Sequence, residues 1–516
     1  MKNEKDPSLE EIVASLPKET IDGLKERLKD LDDLANRPAF QEGTVVTIKG
    51  KTIDLVKLDI NFTLNEQQLD ALDQIANLLI NKHLDAFALR GYAGTGKSSI
   101  VKILLKWIQV HFGWSYSYEI TAPTNRAKYV IEALSGKKSK TIHSLFGLMP
   151  NLELEKLDHR SLKFDIKKAP MLPKHLLIID EGSMINDVLF DLIVEKSKNN
   201  GTIVLFIGDK AQLKPVKQPN VSKMFTIPGV ELTKVERQKD GNPLGPVLLG
   251  IRNNILADAP AFSFEEDIIN SKEEGLVFKD TSGKFLAAAS EALTNVSLYG
   301  DYLHSRILAF QNTRVALYNN LIRGELGFTK EYHKGELLMA YANVGNNEYT
   351  EGLVNSCDYI IENDPVRSSR NIGDTDVEGF RVDLVSTDGM ITINQFILAK
   401  DTPTDVLSEI AAQIEDLRFT ALNHKDRRIK MESWKEYYAM KESFLSTVPL
   451  SLDGRVVVPK SIDMGYASTC HKAQGGTYKE IYIDYRDFQT CRDVETRNQL
   501  LYVGLSRCTN KAVMFV

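Results

Sequence analysis

One short stretch constrains this chain more than any other. An apolar run, Ala86-Phe87-Ala88-Leu89, ends in Gly91-Tyr92-Ala93-Gly94-Thr95-Gly96-Lys97-Ser98, and residues 98–110 then repeat apolar positions at helical spacing. A strand, a turn of the form GxxxxGK[ST] and a helix, in that order, make a phosphate-binding loop. The glycines let backbone N–H groups close on phosphate oxygens, and the helix N-terminus adds favourable dipole charge. Lys97 is placed to reach the β- and γ-phosphates and Ser98 to ligate Mg²⁺. Such a turn implies a parallel sheet covered by helices on both faces.

The neighbouring runs supply that sheet. Residues 118–122, 176–179 and 203–207 are apolar, and each precedes polar or small residues and then a helical stretch. The second run ends in Asp180-Glu181. Two carboxylates at the end of a buried strand are costly unless a cation or a water needs them. Beside a phosphate loop, Asp180 is expected to hold Mg²⁺, and Glu181 to orient or deprotonate an attacking water, so the pair points to hydrolysis of a nucleoside triphosphate.

A second α/β unit is expected from runs at 307–310, 467–469, 480–483 and 511–516. Between its first strand and the others, alternation at 359–361, 380–382 and 391–393 predicts short antiparallel strands, and the charged run 402–444 reads as helical. Residues 149–173, rich in Lys, Asp and Pro, break the rhythm of the first unit and read as a small inserted subdomain. At the start, Leu9, Ile12, Val13 and Leu16 keep helical spacing and 45–58 suggests short strands, so the first 58 residues read as an accessory packing segment.

Composition sets the outer limits. At about 150 residues per domain, 516 residues suggest several domains. Lys and Arg total 64 against 70 Asp and Glu, a net charge of −6 that excludes a uniformly basic binder and requires any nucleic-acid track to be locally basic. The four cysteines (Cys357, Cys470, Cys491, Cys508) show neither a CxxC pair nor metal-ligand spacing, which fits reduced thiols in a cytoplasmic compartment. No apolar run approaches the roughly 18 residues of a membrane span, and no signal peptide is apparent, so membrane partnership is not expected.

Further segments match, in order, the motifs of a known family. They are Leu64 to Gln68, Thr121-Ala122-Pro123-Thr124-Asn125-Arg126-Ala127, Lys140-Thr141-Ile142-His143-Ser144, Gly208 to Val216 with Gln212, Glu236-Arg237, Tyr466 to Thr477 with His471-Lys472-Ala473-Gln474-Gly475, and Leu501-Tyr502-Val503-Gly504-Leu505-Ser506-Arg507. From about residue 62 to the end, the chain resembles the superfamily 1 helicases, specifically the RecD/Dda-like group that moves 5′ to 3′ on DNA.

The resemblance implies an α/β fold of two RecA-like P-loop domains with parallel sheets, each carrying an inserted subdomain. The first domain would be 59–138 and 171–255, with a pin-bearing insertion at 139–170. The second would be 256–335 and 455–516, with a β-rich, SH3-like insertion and a helical addition at 336–454. It further implies ATP and Mg²⁺ as cofactors, Gln68 as the adenine reader, Gln212 as γ-phosphate sensor, and Arg237 and Arg507 as cations on developing phosphate charge. Pro123, Thr124, Asn125, His143, Ser144, Thr469 and His471 would line the nucleic-acid track. Phe164 is the candidate aromatic at the tip of a strand-parting pin, the alternative being a ring packed into its own subdomain, with Phe146 as the competing aromatic. Expected partners are single-stranded and fork DNA and single-strand-binding or replication proteins, with a monomer competent to act in replication, recombination or repair. An RNA helicase, or an ATPase subunit of a recombination or nuclease complex, is the alternative.

Overall fold

The computed structural model describes residues 45–516 apart from 61, 125–126, 129–130, 133–134, 150–164, 167–171, 216–217, 219, 235–241, 261, 263–265, 300–303, 346–351 and 388–390. The helix expected before residue 45, and Asn125, Phe164 and Arg237, lie outside the described residues.

The first core is a six-stranded parallel sheet in the spatial order Gly229–Leu232, Ala86–Gly91, Ile203–Gly208, Leu176–Ile179, Tyr118–Ala122, Lys140–Thr141. Its central strands, Ile203–Gly208 and Leu176–Ile179, are buried at every residue. A strand covered on both faces has no solvated side, which is why these two are continuous apolar runs without alternation. The helix Lys97–Phe112 starts at Gly96, whose φ of 84° only glycine adopts cheaply, and ends at Gly113 with φ 77°. Its Trp107 is fully buried and donates through Nε1 to the Ile48 carbonyl at 3.0 Å. That bond fastens the hairpin of Val45–Ile48 and Lys51–Asp54 to the core.

The second core repeats the plan. Its six strands run in the order Ile268–Ile269, Gly275–Lys279, Cys508–Phe515, Tyr478–Asp484, Ser305–Ala309, Ala467–Thr469, parallel except for the first pair. Two of these strands, Ile268–Ile269 and Gly275–Lys279, were not among the expected ones, nor was Gly229–Leu232 in the first core.

An antiparallel sheet separates Ser305–Ala309 from Ala467–Thr469. Its path is Val366–Ile372, Thr375–Ser386, Asp358–Ile361, Leu337–Ala340, Ile462–Met464, with Thr392–Leu398 also paired to Thr375–Ser386. The charged run 402–444 is two helices, Thr404–Asn423 and Arg427–Glu442. They bury Ile410, Ala411, Ile414, Tyr437 and Met440 against Ile372, Val377, Phe396 and Leu398 of the sheet.

The region between the third motif and Asp180 holds a two-stranded antiparallel ribbon, Leu148–Met149 with Asp165–Ile166. Phe146, the competing candidate for a pin aromatic, is fully buried in the first core with Leu145, Ile179 and Phe206. It is a core residue and cannot reach a DNA fork; the helical turn Ile142–Leu145 directs it inward.

Candidate nucleotide cleft and strand track

The phosphate loop is held from below by the helix Glu66–Asn81. Asn65 and Gln68 form a reciprocal cap: Gln68 N donates to Asn65 Oδ1 and Asn65 N to Gln68 Oε1, both at 3.0 Å. The Gln68 amide nitrogen then donates to the Thr95 carbonyl at 3.0 Å. Both ends of the Gln68 amide are thus engaged and the side chain is buried, so in this structure Gln68 braces the loop. A Cβ added at Gly96 would lie 2.5 Å from Gln68 Nε2, which ties that glycine to the brace as well as to its positive φ. Lys97 Nζ donates to the carbonyls of Gly91 and Tyr92, each at 2.7 Å.

Asp180 and Glu181 stand at the carboxyl end of Leu176–Ile179. Asp180 Oδ1 accepts from the Glu181 N–H at 2.9 Å. Burial, and secondarily the Glu181 charge, push the Asp180 carboxyl up to about 6, with Lys97 opposing. A half-buried acid beside a second acid is the setting a divalent cation relieves, so the residues present fit Mg²⁺ held by Asp180 and Ser98. Glu181 has φ 51°, an uncommon conformation for a residue with a side chain, which re-aims the chain at the strand end. Gln212 is 5% exposed and its Oε1 has no hydrogen-bond partner. An unsatisfied buried acceptor costs on the order of 1–3 kcal/mol, a cost that a water donated to Oε1 would remove.

These groups share one cleft with residues from the second core. A cavity of about 330 Å³ is lined by Gly94, Gly96, Lys97, Ser98, Asp180, Glu181 and Gln212 on one side and Gly475, Thr477 and Arg507 on the other. Arg507 caps the carboxyl end of the helix Val494–Ser506, is 5% exposed, and donates through Nε to the Val503 carbonyl at 3.3 Å. Lys97, Ser98, Asp180, Glu181, Gln212 and Arg507, singled out from sequence, therefore meet.

Sequence reasoning overlooked the groups that fasten the two sides. Tyr502, on the Arg507 helix, accepts from the Ala93 N–H of the phosphate loop at 3.1 Å and donates to Asp209 Oδ2 at 2.7 Å. Asp209 also accepts from the Ala211 N–H at 3.0 Å, fixing the turn that carries Gln212. Arg252, 2% exposed, lies 3.7 Å from Asp209 and stacks its guanidinium 3.2 Å from the centroid of the Tyr92 ring. One buried tyrosine hydroxyl thus touches the phosphate loop and the Gln212 turn from the Arg507 helix. Tyr502 stood inside a quoted motif, but nothing in its spacing shows that its hydroxyl crosses the cleft.

The candidate strand-binding residues sit at the carboxyl ends of parallel strands, the edge of the sheet where the phosphate loop also emerges. Pro123 and Thr124 follow Tyr118–Ala122, His143 and Ser144 follow Lys140–Thr141, and Thr469 and His471 end or follow Ala467–Thr469. Thr124 Oγ1 accepts from the Ala127 N–H at 3.3 Å, so it also caps the segment behind it. His143, Ser144 and His471 are exposed, whereas Thr469 is buried. Among the described residues, no helix is long and apolar enough to cross a membrane.

Comparison with known proteins adds relatives. Residues 63–274 match the AAA domain and residues 464–515 the UvrD-like helicase C-terminal domain. The chain is 25% identical over 457 residues to the ATP-dependent DNA helicase dda of Enterobacteria phage T4, covering 81% of this chain and 92% of that protein. It is 30% identical over 201 residues to the ATP-dependent RecD2 DNA helicase of Deinococcus radiodurans, covering 39% of this chain and 25% of that protein. Bacteroides Pif1 bound to ssDNA aligns over 88% of this chain and 92% of that one, at 18% identity and a TM-score of 0.45. With an AAA domain and a UvrD-like helicase C-terminal domain matched in order, and meeting at one phosphate cleft, the chain is similar to the superfamily 1 DNA helicases of the RecD/Dda-like kind.

Proposed function

We propose that this chain is an ATP-dependent DNA helicase that moves 5′ to 3′ along a single strand and separates duplex DNA, in replication, recombination or repair. The observation that carries the reading is the single cleft built from two cores, with the phosphate loop and paired acids on one wall and Arg507 on the other. Asp180 and Ser98 would hold Mg²⁺, which when bound neutralises phosphate charge. Lys97 leaves the Gly91 and Tyr92 carbonyls to meet the β- and γ-phosphates. Glu181 accepts the proton of the attacking water, and Gln212 Oε1 orients that water. ATP and water become ADP and phosphate. Arg507 places positive charge against the negative charge that develops on the transferring group, a contribution worth about 10³–10⁵ in rate where arginine fingers have been removed. Arg237 is assigned the same kind of role.

Because Arg507 and Tyr502 belong to the second core, occupancy of the cleft favours its closed form and product release the open one. Alternation between these forms would carry a strand past Pro123, Thr124, Asn125, His143, Ser144, Thr469 and His471. The ribbon at Leu148–Met149 and Asp165–Ile166, whose second strand Phe164 precedes in sequence, is assigned as the pin, and the antiparallel sheet between the halves of the second core as the SH3-like insertion. Single-stranded and fork DNA are the partners, single-strand-binding or replication proteins its neighbours, and the cytoplasm its compartment. The test is unwinding of DNA and RNA duplexes carrying a 5′ or a 3′ tail, with ATP and Mg²⁺. Opening only of 5′-tailed DNA supports the reading; opening only from 3′ tails overturns the polarity, and a preference for RNA overturns the substrate.

A further inference from the structure

Where the antiparallel insertion rejoins the second core, a group of side chains gathers that the nucleotide cleft does not use. Tyr341 follows the strand Leu337–Ala340, Lys460 precedes Ile462–Met464, and Lys472 lies in the turn after Ala467–Thr469. Lys460 Nζ lies 3.9 Å, and Lys472 Nζ 4.3 Å, from the centroid of the Tyr341 ring. The Tyr341 N–H donates to the Ser461 carbonyl at 2.8 Å, which locks the ring beside the lysine-bearing segment.

Among the described residues, the charges around this ring do not balance. Lys460 pairs with Asp463 at 2.8 Å, while Lys472 donates to the neutral Asn355 Oδ1 at 2.9 Å. The Arg306–Asp358 pair, whose field also reaches Tyr341, contributes one charge of each sign at 2.8 Å separation. Two ammonium groups against one ring, one of them paired with a carboxylate, are held at a cost in mutual repulsion. The ring offsets part of that cost through its negative face. The Tyr341 hydroxyl is a buried donor without a hydrogen-bond partner. Tyr341, Lys460, Lys472 and Asn355 are only partly buried and His471 is exposed, so an anion can approach.

We propose that Tyr341, Lys460 and Lys472 form a phosphodiester-binding site that holds the single strand beside the Thr469–His471 turn and ties the insertion to the strand track. The proposal rests on the helicase reading and adds to it residues outside the family motifs, Tyr341 and Lys460, with Lys472 as their partner. One bridging phosphate would take a hydrogen bond from each ammonium. Such contacts position a strand without reading its sequence.

The site carries a pH signature. Burial, and then the Lys460 charge, bring the Lys472 ammonium down to about 8. Of the groups around it, local desolvation lowers His471 from its ordinary value and raises the Tyr341 hydroxyl, so neither changes charge between pH 7 and pH 9. With a midpoint of about 8, the charged fraction of Lys472 falls roughly tenfold across that window, and strand affinity falls with it.

The experiment measures oligo(dT) binding by the full chain, by fluorescence anisotropy, at pH 7 and pH 9 and across a salt series. Wild type is expected to lose several-fold more affinity on going to pH 9 than Lys472→Arg, whose guanidinium stays charged. Lys460→Ala is expected to shallow the logarithmic salt slope by about 0.7, the value of one single-strand phosphate contact. Equal pH dependence of wild type and Lys472→Arg, or an unchanged salt slope in a Lys460→Ala protein that melts normally, overturns the site while leaving the helicase reading standing. Failure of the wild-type chain to bind single-stranded DNA at all overturns both.

Discussion

Lys97 and Tyr502 act on the same loop from opposite cores, and substitution separates what each does. Lys97→Ala removes the cation nearest the transferring phosphate, so ATPase activity falls by orders of magnitude while single-strand binding, which uses other residues, survives; steady-state hydrolysis and anisotropy measure the two. Tyr502→Phe keeps the ring and removes two bonds at once, one from the Ala93 N–H and one to Asp209. Asp209 is fully buried, and losing a partner leaves an unsatisfied carboxylate oxygen, costing on the order of 1–3 kcal/mol. The loss is expected mainly in kcat, with KM for ATP changed less, because the clasp sets how the two walls meet. A variant that only melts earlier, with both kinetic constants intact, would make Tyr502 a packing residue. Phe146→Ala, by contrast, empties a fully buried site and is expected to lower stability by about 3–5 kcal/mol, read by thermal melting. At this scale Lys97, Asp180, Glu181 and Arg507 were legible because phosphate chemistry demands those residue types next to a turn or a strand end. Tyr502 was not, since its partner Ala93 lies 409 positions away and no periodicity records such a contact.

Elements were legible in proportion to how fully they are buried. Leu176–Ile179 and Ile203–Gly208 lie inside the sheet, and the continuous apolar runs there could be read directly. Gly229–Leu232 alternates between buried and more open positions, and Ile268–Ile269 is exposed at both residues, so neither left a clear run. The charged run 402–444 was read as helical, but its division into two helices depends on Asp426, whose side chain accepts from the Arg428 N–H at 2.7 Å to start the second. Phe146 was misjudged because aromatic type alone does not say which way a short helical turn points. The ribbon of Leu148–Met149 and Asp165–Ile166 carries the prediction at this scale. If Phe164 stacks on the first unpaired base, the contact is worth about 1–3 kcal/mol. Phe164→Ala then lowers unwinding of a forked duplex far more than it lowers hydrolysis on single-stranded DNA, and Phe164→Tyr restores most of the loss. Parallel loss of unwinding and melting temperature would return Phe164 to the core of its subdomain.

At the scale of the whole molecule, the two cores are joined by more than the clasp. Lys214, in the turn after Asp209, pairs with Glu495 at 2.5 Å, and Asn242 donates to the Thr509 and Asn510 carbonyls at 3.1 and 3.3 Å. Lys214–Glu495 is partly exposed and weak, of the order of 1 kcal/mol or less, which suits a contact that must break and re-form. With a net charge of −6, the chain as a whole repels DNA, so binding must come from local cations such as Lys472 and Lys460. Single-strand affinity is therefore expected to fall steeply with salt and to vary little with base sequence; a shallow slope with one preferred sequence would point instead to a sequence reader. The central claim is that hydrolysis requires both walls of the cleft, and Arg507→Ala at saturating ATP and single-stranded DNA tests it most directly. Nucleotide binding close to wild type with hydrolysis reduced by about 10³ or more is the predicted result, and hydrolysis at the wild-type rate would contradict it.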